Sequence, residues 1–120
     1  MLCPCHSKKP YSACCEPFHI GKGLPKTALE LMRSRYSAYA LQLVQYIIDT
    51  TYPSKIKLKP KDILAFCKQT QFLGLEILEH TEGADQATVT FRAVLAQGFS
   101  DASFEEKSRF IKKGNRWFYA

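Results

Sequence analysis

A β-hairpin is encoded in the sequence Phe104-Glu105-Glu106-Lys107-Ser108-Arg109-Phe110-Ile111-Lys112-Lys113-Gly114-Asn115-Arg116-Trp117-Phe118-Tyr119. The pair Gly114-Asn115 is typical of a two-residue hairpin turn, because both residue types tolerate the backbone angles that such a turn needs. With the turn placed there, Lys113 faces Arg116, Lys112 faces Trp117, Ile111 faces Phe118 and Phe110 faces Tyr119. Since side chains alternate along a strand, one face of the hairpin collects Phe104, Glu106, Ser108, Phe110, Trp117 and Tyr119.

Glu106 is the unusual member of this otherwise aromatic face. A carboxylate that is buried among apolar groups needs a partner. We expect Arg33 or Arg35, from a helix earlier in the chain, to form a structural ion pair with Glu106. Two alternatives are that Glu106 lines a ligand pocket or that it acts as a catalytic acid or base.

The residues before the hairpin predict two further strands. Leu73, Leu75 and Ile77 alternate in a first strand that begins near Phe72, and the sequence Glu82-Gly83-Ala84-Asp85 is typical of a turn. The next strand places Val89, Phe91, Ala93 and Leu95 on one face, and a loop near Gly98–Asp101 leads to the strand Phe104–Lys112. These segments predict an antiparallel sheet.

Helices are predicted ahead of the sheet. Thr27 and Glu30 have the spacing of a capping box, which favours a helix from about Ala28 to Ile48, bent near Leu41. A second helix is predicted from Lys61 to Gln71, with Cys67 on its inner face as a small buried hydrophobic residue. Helices followed by antiparallel strands indicate an α+β fold.

The composition limits the class of protein. The chain has 120 residues, 46% of them hydrophobic, and a formal net charge of +6. These values are typical of one folded domain rather than a disordered chain. The sequence contains no apolar run long enough to cross a bilayer and begins without the pattern of a secretory signal. We therefore expect a cytoplasmic protein.

Four of the five cysteines, Cys3, Cys5, Cys14 and Cys15, lie within thirteen residues. In the reducing cytoplasm such a cluster binds a metal more often than it forms disulfides. Zn²⁺ prefers four ligands in a tetrahedron, and four thiolates would leave no open position for a reacting water. We therefore expect one structural Zn²⁺ per chain. The alternatives are a redox-active dithiol and replacement of one cysteine ligand by His6 or His19.

Lysines cluster in two places. Lys55, Lys57, Lys59 and Lys61 alternate with other residues after Pro53, where they indicate either a solvated loop or a patch that binds anions. Lys8 and Lys9 lie between the two pairs of cysteines. Either cluster is compatible with a weakly bound anionic partner. A nucleic-acid partner is the less favoured case, because Lys8, Lys9 and Tyr11 form only a small footprint.

The cysteine-rich segment resembles the SEC-C motif, a small zinc-binding element that also occurs at the carboxyl end of the bacterial translocase ATPase. The residues that match are Cys3, Cys5, Ser7, Lys9, Tyr11, Cys14 and Cys15. His6 and Lys8 stand where the motif usually has glycine beside the serine. The ligands are therefore intact, whereas the shape of the turn departs from the usual pattern.

The remainder of the chain is similar to the YchJ-like family, which joins an SEC-C knuckle to a domain like nuclear transport factor 2 and SnoaL. The resemblance rests on residues 31–39, 72–77, 106–110 and 114–119. It implies a cone-shaped fold in which helices pack on a curved antiparallel sheet. The implied division is a knuckle and connector at residues 1–24 and a nuclear transport factor 2-like domain at residues 25–120.

The resemblance implies two classes of function. The first is a binding module whose knuckle docks to a protein or to the ribosome, as the translocase version of the motif does. The alternative is small-molecule binding or catalysis in a pocket of the cone. Its expected lining is Arg33, Arg35, Tyr36, Glu106, Trp117 and Tyr119. The sequence shows no obvious Asp–His pair for acid–base chemistry, so binding is favoured over catalysis.

Overall fold

Four α-helices precede an antiparallel sheet in the computed structural model, which describes residues 1–53 and 58–120. The helices are α1 (Glu16–His19), α2 (Ala28–Ala40), α3 (Val44–Asp49) and α4 (Pro60–Gln69), and a 3₁₀ turn spans Tyr11–Ala13. The strands are β1 (Gln71–Glu82), β2 (Gln86–Gln97), β3 (Ser100–Asp101), β4 (Phe104–Lys113) and β5 (Arg116–Tyr119). The prediction of an α+β fold is confirmed.

The first predicted helix is two helices rather than one bent helix. Gln42 adopts a left-handed conformation with φ of 62° just after the end of α2. The Leu43 N–H bonds to the Ala38 carbonyl at 2.8 Å, and the Gln42 N–H bonds to the Tyr39 carbonyl at 3.2 Å. This pattern is a Schellman motif, which satisfies the last carbonyls of a helix and ends it. The chain therefore turns before α3 begins at Val44.

The start of α2 has the expected cap with one difference. The Thr27 hydroxyl accepts a hydrogen bond from the Glu30 N–H at 3.1 Å, whereas the Glu30 carboxylate bonds to the Lys26 N–H at 2.7 Å. Both side chains thus satisfy backbone donors at the helix start, although the return bond reaches one residue further back than in a standard capping box.

The sheet has the strand order β1-β2-β4-β5, with the short β3 paired to β2. The predicted hairpin register is confirmed, because Phe110 pairs with Tyr119, Ile111 with Phe118, Lys112 with Trp117 and Lys113 with Arg116. Gly114 has φ of 63°, which is the left-handed conformation that the turn requires.

The inward-facing position predicted for Leu73 in β1 is wrong. The pairing of β1 with β2 shifts register between Phe72 and Gly74, so Leu73 is 57% exposed instead of facing inward with Leu75. A β-bulge of this kind adds one residue to one strand and reverses the alternation beyond it. Phe72 and Leu75 therefore both pack against the core.

The main core lies between α2 and the sheet. The residues of β2 predicted to face inward are buried there, together with Leu31 and Met32 of α2. A second cluster joins α2, α3 and α4 and contains Cys67, which is 4% exposed and serves as the predicted small apolar residue. Helix α4 begins at Pro60 and ends at Gln69, so it starts and stops slightly earlier than predicted.

Two of the four lysines after Pro53 can be placed. Lys59 and Lys61 are exposed at the start of α4, whereas Lys55 and Lys57 lie outside the described residues. Across residues 1–53 and 58–120, no helix combines the length and the apolar character needed to cross a membrane.

Candidate metal centre and ligand cavity

The cysteine-rich segment folds into a compact knuckle. An isolated bridge joins Leu2 to Pro10, and the Cys3 N–H bonds to the Lys9 carbonyl at 2.8 Å. Between these contacts the chain reverses through His6 and Lys8, which have φ of 62° and 69°. These are the two positions where the SEC-C motif usually has glycine. The turn therefore keeps the left-handed geometry that glycine adopts readily, with two side chains that adopt it at a cost.

The four cysteine sulfurs converge in this knuckle. Their Sγ atoms all lie within 4.8 Å of one another. Cys5 and Cys14 are 3.6 Å apart, and Cys14 and Cys15 are 3.9 Å apart. Thiolates at about 2.3 Å from a tetrahedral Zn²⁺ are separated by about 3.8 Å, so the sulfur spacing fits such an ion. The cluster is therefore compatible with metal binding through all four predicted ligands.

The charge of the cluster also favours a cation. A hydrogen bond from the Cys15 thiol lowers the pKa of Cys5 to about 4. The same hydrogen bond to Cys5, followed by burial, raises the pKa of Cys15 far above its ordinary value. Burial likewise raises the pKa of Cys3. Because thiolates this close repel one another, ionising all of them requires a compensating positive charge at their centre.

His19 joins the knuckle to α2. Its Nε2 lies 2.8 Å from the Ser34 carbonyl oxygen, which can only accept, so Nε2 carries the hydrogen. Its Nδ1 then accepts a hydrogen bond from the Tyr11 hydroxyl at 2.6 Å. Burial lowers the pKa of His19, consistent with a neutral ring that uses both nitrogens. The sequence pattern indicated His19 only as an alternative metal ligand and did not predict this role.

Two more contacts hold the knuckle on α2. Arg33 donates a hydrogen bond from Nη1 to the Cys5 carbonyl at 3.0 Å. The His6 ring packs edge-on against Tyr36, with ring centres 5.7 Å apart. The side chains of Arg33 and His6 thus fix the knuckle to the helix, and only cysteines contribute ligand atoms to the group of four.

A cavity of about 390 Å³ lies between the helices and the sheet. Its walls are mostly aromatic and aliphatic. They comprise Met32, Tyr36, Tyr39, Ile63, Phe66, Phe72, Phe91, Ala93, Leu95, Phe104, Phe110 and Tyr119, with Arg35, Asp62, Glu106 and Ser108 as the charged or small polar members. The exposed Asp62 and Phe104 mark the mouth, whereas Ser108 and Phe110 are buried at the inner end.

Arg35 is a buried cation in the cavity wall. It is 8% exposed and donates from Nη1 to the Ile47 carbonyl at 3.0 Å, to the Thr50 hydroxyl at 2.7 Å and to the Thr51 hydroxyl at 3.0 Å. Its guanidinium lies 4.8 Å from the centre of the Tyr119 ring. Burial lowers the pKa of Arg35. Neutral acceptors and an aromatic face therefore stabilise this charge.

The expectation that Glu106 forms an ion pair with Arg33 or Arg35 is wrong. Its Oε2 accepts a short hydrogen bond from Ser108 and a second one from the Tyr119 hydroxyl at 3.3 Å. Within residues 1–53 and 58–120, the salt bridge that forms joins Arg92 to Glu105 instead. Tyr119 thus contacts both charged groups, Arg35 through its ring and Glu106 through its hydroxyl.

The structure brings four of the six expected pocket residues together, namely Arg35, Tyr36, Glu106 and Tyr119. Arg33 lies at the knuckle instead, and Trp117 donates from Nε1 to the Lys26 carbonyl at 3.2 Å. Hairpin alternation places Trp117 on the correct face of the sheet. Strand alternation does not show how far the cavity extends along that face, and Trp117 is not among its lining residues.

A four-cysteine knuckle seated on a helix-and-sheet domain with an internal cavity is the architecture of an SEC-C protein with a nuclear transport factor 2-like domain. Residues 27–120 match the family model described as YchJ, middle NTF2-like domain. The chain belongs to this YchJ-like family.

Similar proteins occur in several bacteria. A UPF0225 protein of Haemophilus influenzae strain 86-028NP is 42% identical over 98% of this chain and 74% of its own length. A UPF0225 protein of Vibrio cholerae strain O395 is 37% identical over 99% of this chain and 80% of its own length. Both matches include the knuckle as well as the domain that follows it.

Two solved structures share the whole architecture. The solution structure of an SEC-C motif containing protein from Rhodopseudomonas palustris has a TM-score of 0.92 at 34% identity, covering 100% of this chain and 95% of that one. The crystal structure of an SEC-C motif containing protein from Psychrobacter arcticus has a TM-score of 0.87 at 30% identity, covering 99% and 80%. The knuckle and the domain are thus part of one shared fold.

Proposed function

We propose that this protein is a cytoplasmic binding module whose knuckle is held together by one Zn²⁺ bound to Cys3, Cys5, Cys14 and Cys15. The convergence of four sulfurs within 4.8 Å is the observation that carries the proposal. Thiolates are soft ligands that suit Zn²⁺, and a reducing compartment keeps them available. Four protein ligands close the coordination shell, so the ion stabilises the fold and does not activate water.

The knuckle and its connector present the surface proposed for docking. Leu2, Ile20 and Leu24 are 66%, 57% and 47% exposed, and Lys8 and Lys9 of the same segment are exposed as well. Exposed apolar side chains with basic neighbours favour a protein surface that combines apolar and acidic groups. A protein, free or within the ribosome, is therefore the proposed partner.

Native mass spectrometry with elemental analysis tests the metal. We expect one zinc per full-length chain and its loss on treatment with a strong chelator. A metal-free chain that keeps its fold would overturn the structural role. Recovery of a Cys14–Cys15 or Cys3–Cys5 disulfide from freshly isolated protein would favour the dithiol alternative.

Quantitative affinity capture with the full chain tests docking. The variants Leu2→Asp and Lys9→Glu alter the knuckle surface, and Leu78→Asp is the matched control because Leu78 is 45% exposed on β1, remote in sequence from the knuckle. The proposal expects a partner that is lost with the first two variants and retained with the third. Equal recovery with all three would overturn it.

Small-molecule binding in the cavity is the second candidate function. The specific observation in its favour is a cavity of about 390 Å³ that contains Glu106, Ser108, Tyr119 and Arg35 at its wall. This volume falls at the lower end of the usual range for ligand pockets, roughly 300–1,000 Å³. In a catalytic version of this candidate, Glu106 is the group in the wall that would move a proton. Its first test is whether small aromatic probes bind in the cavity, measured by NMR titration of the full chain.

A further inference from the structure

We propose that the cavity selects an uncharged, ring-containing hydrophobic molecule with one O–H or N–H group, which donates a hydrogen bond to Glu106. This inference rests on the second candidate function and names the class of its ligand. It follows from the shape of the walls, the balance of charge and the direction of the hydrogen bonds at the inner end.

The walls determine the hydrophobic part of the ligand. Phe66 and Phe72 contact one another edge-to-face with centres 6.2 Å apart, and Phe91 and Phe104 do so at 5.9 Å. Such walls offer ring faces and edges to a flat apolar molecule and few groups that could solvate a polar one. At about 390 Å³ the cavity has room for one or two fused rings.

The charges at the wall disfavour an ionic ligand. Arg35 contributes one positive charge and Glu106 one negative charge, and Tyr119 contacts both groups. An anionic ligand at the inner end would be repelled by Glu106, and the Asp62 carboxylate at the mouth adds to this repulsion. A cationic ligand would be repelled by Arg35 and would lose its hydration among apolar walls, costs that attraction to the two carboxylates offsets only in part. An uncharged molecule avoids both penalties.

The direction of the hydrogen bonds at the inner end leaves a carboxylate oxygen of Glu106 as an acceptor for a ligand. Ser108 and Tyr119 both use their hydroxyl hydrogens to donate to Oε2 of Glu106. Within the described residues these two bonds share that single oxygen, which leaves Oε1 of the carboxylate to receive a third. A ligand with a donor group can complete this arrangement, whereas a ligand with acceptors alone would face a carboxylate that cannot donate.

The test compares three probes of nearly equal size, 2-naphthol, naphthalene and 2-methoxynaphthalene, by NMR titration of the full zinc-loaded chain. We expect 2-naphthol to bind roughly tenfold more tightly than naphthalene, because only 2-naphthol can donate a hydrogen bond to the charged acceptor. We expect 2-methoxynaphthalene, which cannot donate, to bind no better than naphthalene. Equal affinity for naphthalene and 2-naphthol would overturn the proposed ligand class and leave cavity binding standing.

The variant Glu106→Gln replaces the hydrogen-bond acceptor that faces the cavity with a donor. Its amide oxygen can accept from Ser108 and Tyr119, so that its NH₂ group faces the cavity as a donor. We expect the preference for 2-naphthol over 2-methoxynaphthalene to fall at least threefold. Glu105→Gln is the matched control, because it removes the same charge from the adjacent residue, which pairs with Arg92 outside the cavity. An unchanged preference in Glu106→Gln would overturn the role of Glu106.

Filling the cavity separates binding there from binding elsewhere. Ala93 is 2% exposed and lies in the wall, so Ala93→Phe should abolish binding of all three probes. Ala93→Leu, a smaller change, should weaken it and covers the case in which the phenylalanine variant fails to fold. Failure of every probe to bind the unmodified chain, or full binding to both variants, would overturn the cavity candidate itself.

Discussion

The Nε2 of His19 donates a hydrogen bond to the carbonyl oxygen of Ser34 across the contact between the knuckle and helix α2, at 2.8 Å. Ser34 is fully buried, and its carbonyl also accepts a bond from the Ser37 hydroxyl at 3.1 Å. With Tyr11 on its other nitrogen, the imidazole bridges a knuckle residue and the helix. This bridge connects the stability of the knuckle to that of the domain.

Replacing His19 tests that bridge. We expect His19→Ala to lower the free energy of unfolding by about 2–3 kcal/mol, because the half-buried Tyr11 hydroxyl and the buried Ser34 carbonyl each lose a hydrogen-bond partner. Urea unfolding of the zinc-loaded protein measures this change. His80→Ala, on an exposed position of β1, is the control and should stay within about 0.5 kcal/mol of the parent. Equal effects of the two substitutions would contradict the bridging role.

Lys8 offers a stabilising substitution. It holds a φ of 69°, so Lys8→Gly should relieve strain of roughly 1–2 kcal/mol, offset in part by the greater freedom of glycine in the unfolded chain. We expect a net gain of about 0.5 kcal/mol. Lys9→Gly is the matched control; Lys9 lacks a positive φ, so glycine there should destabilise the knuckle. Denaturant midpoints with zinc bound compare the two, and the opposite order would refute the strain argument.

The four-cysteine cluster predicts that substitutions of Cys14 and Cys67 have different effects on zinc binding. Cys14→Ser removes one sulfur of the group of four, so we expect zinc loss and a disordered knuckle in NMR spectra. Cys67→Ala should keep one zinc per chain, because Cys67 belongs to the separate cluster beside Ile63. Elemental analysis of both purified variants decides the matter, and full zinc retention in Cys14→Ser would exclude the four-cysteine site.

Arg35 is expected to be essential for stability. Arg35→Met keeps the length of the side chain but removes the donor to Ile47, Thr50 and Thr51. We expect the free energy of unfolding to fall by about 2–4 kcal/mol, because buried acceptors lose their partner. Thermal or urea unfolding measures it against Arg109→Met, whose side chain is exposed on β4. A neutral Arg35→Met would show that the buried charge contributes nothing net.

The parts of the fold that sequence reasoning predicted correctly depend on local patterns. The turn Gly114-Asn115 sets the register of β4 and β5, because a two-residue loop leaves one pairing that keeps the apolar face together. The inner face of β2 follows from strict alternation. The four cysteines also stand out in the sequence because they are scarce and close together.

The errors arise where distant residues compete with a local pattern. Leu73 has the right spacing to face inward, yet the bulge at Gly74 turns it outward; there the Gly74 carbonyl accepts a bond from Tyr36 at 2.8 Å. Gln42 carries no mark of a helix end, but its left-handed conformation separates α2 from α3. A glycine within a strand is a signal for a bulge, but it does not show which neighbour turns outward, and the conformation of Gln42 has no signal in its own stretch of sequence.

The sequence by itself determined that helices precede an antiparallel sheet, the hairpin register and the four cysteines of the candidate metal site, since each depends on spacing along a short segment. Only the tertiary structure decided that Arg35 pairs with Ile47, Thr50 and Thr51, and that Glu106 pairs with Ser108 and Tyr119. A charged side chain takes whichever partners the packing of separate elements brings within hydrogen-bond distance. Which partners these are depends on how the helices pack on the sheet. This packing cannot be read from the residue types along a short segment.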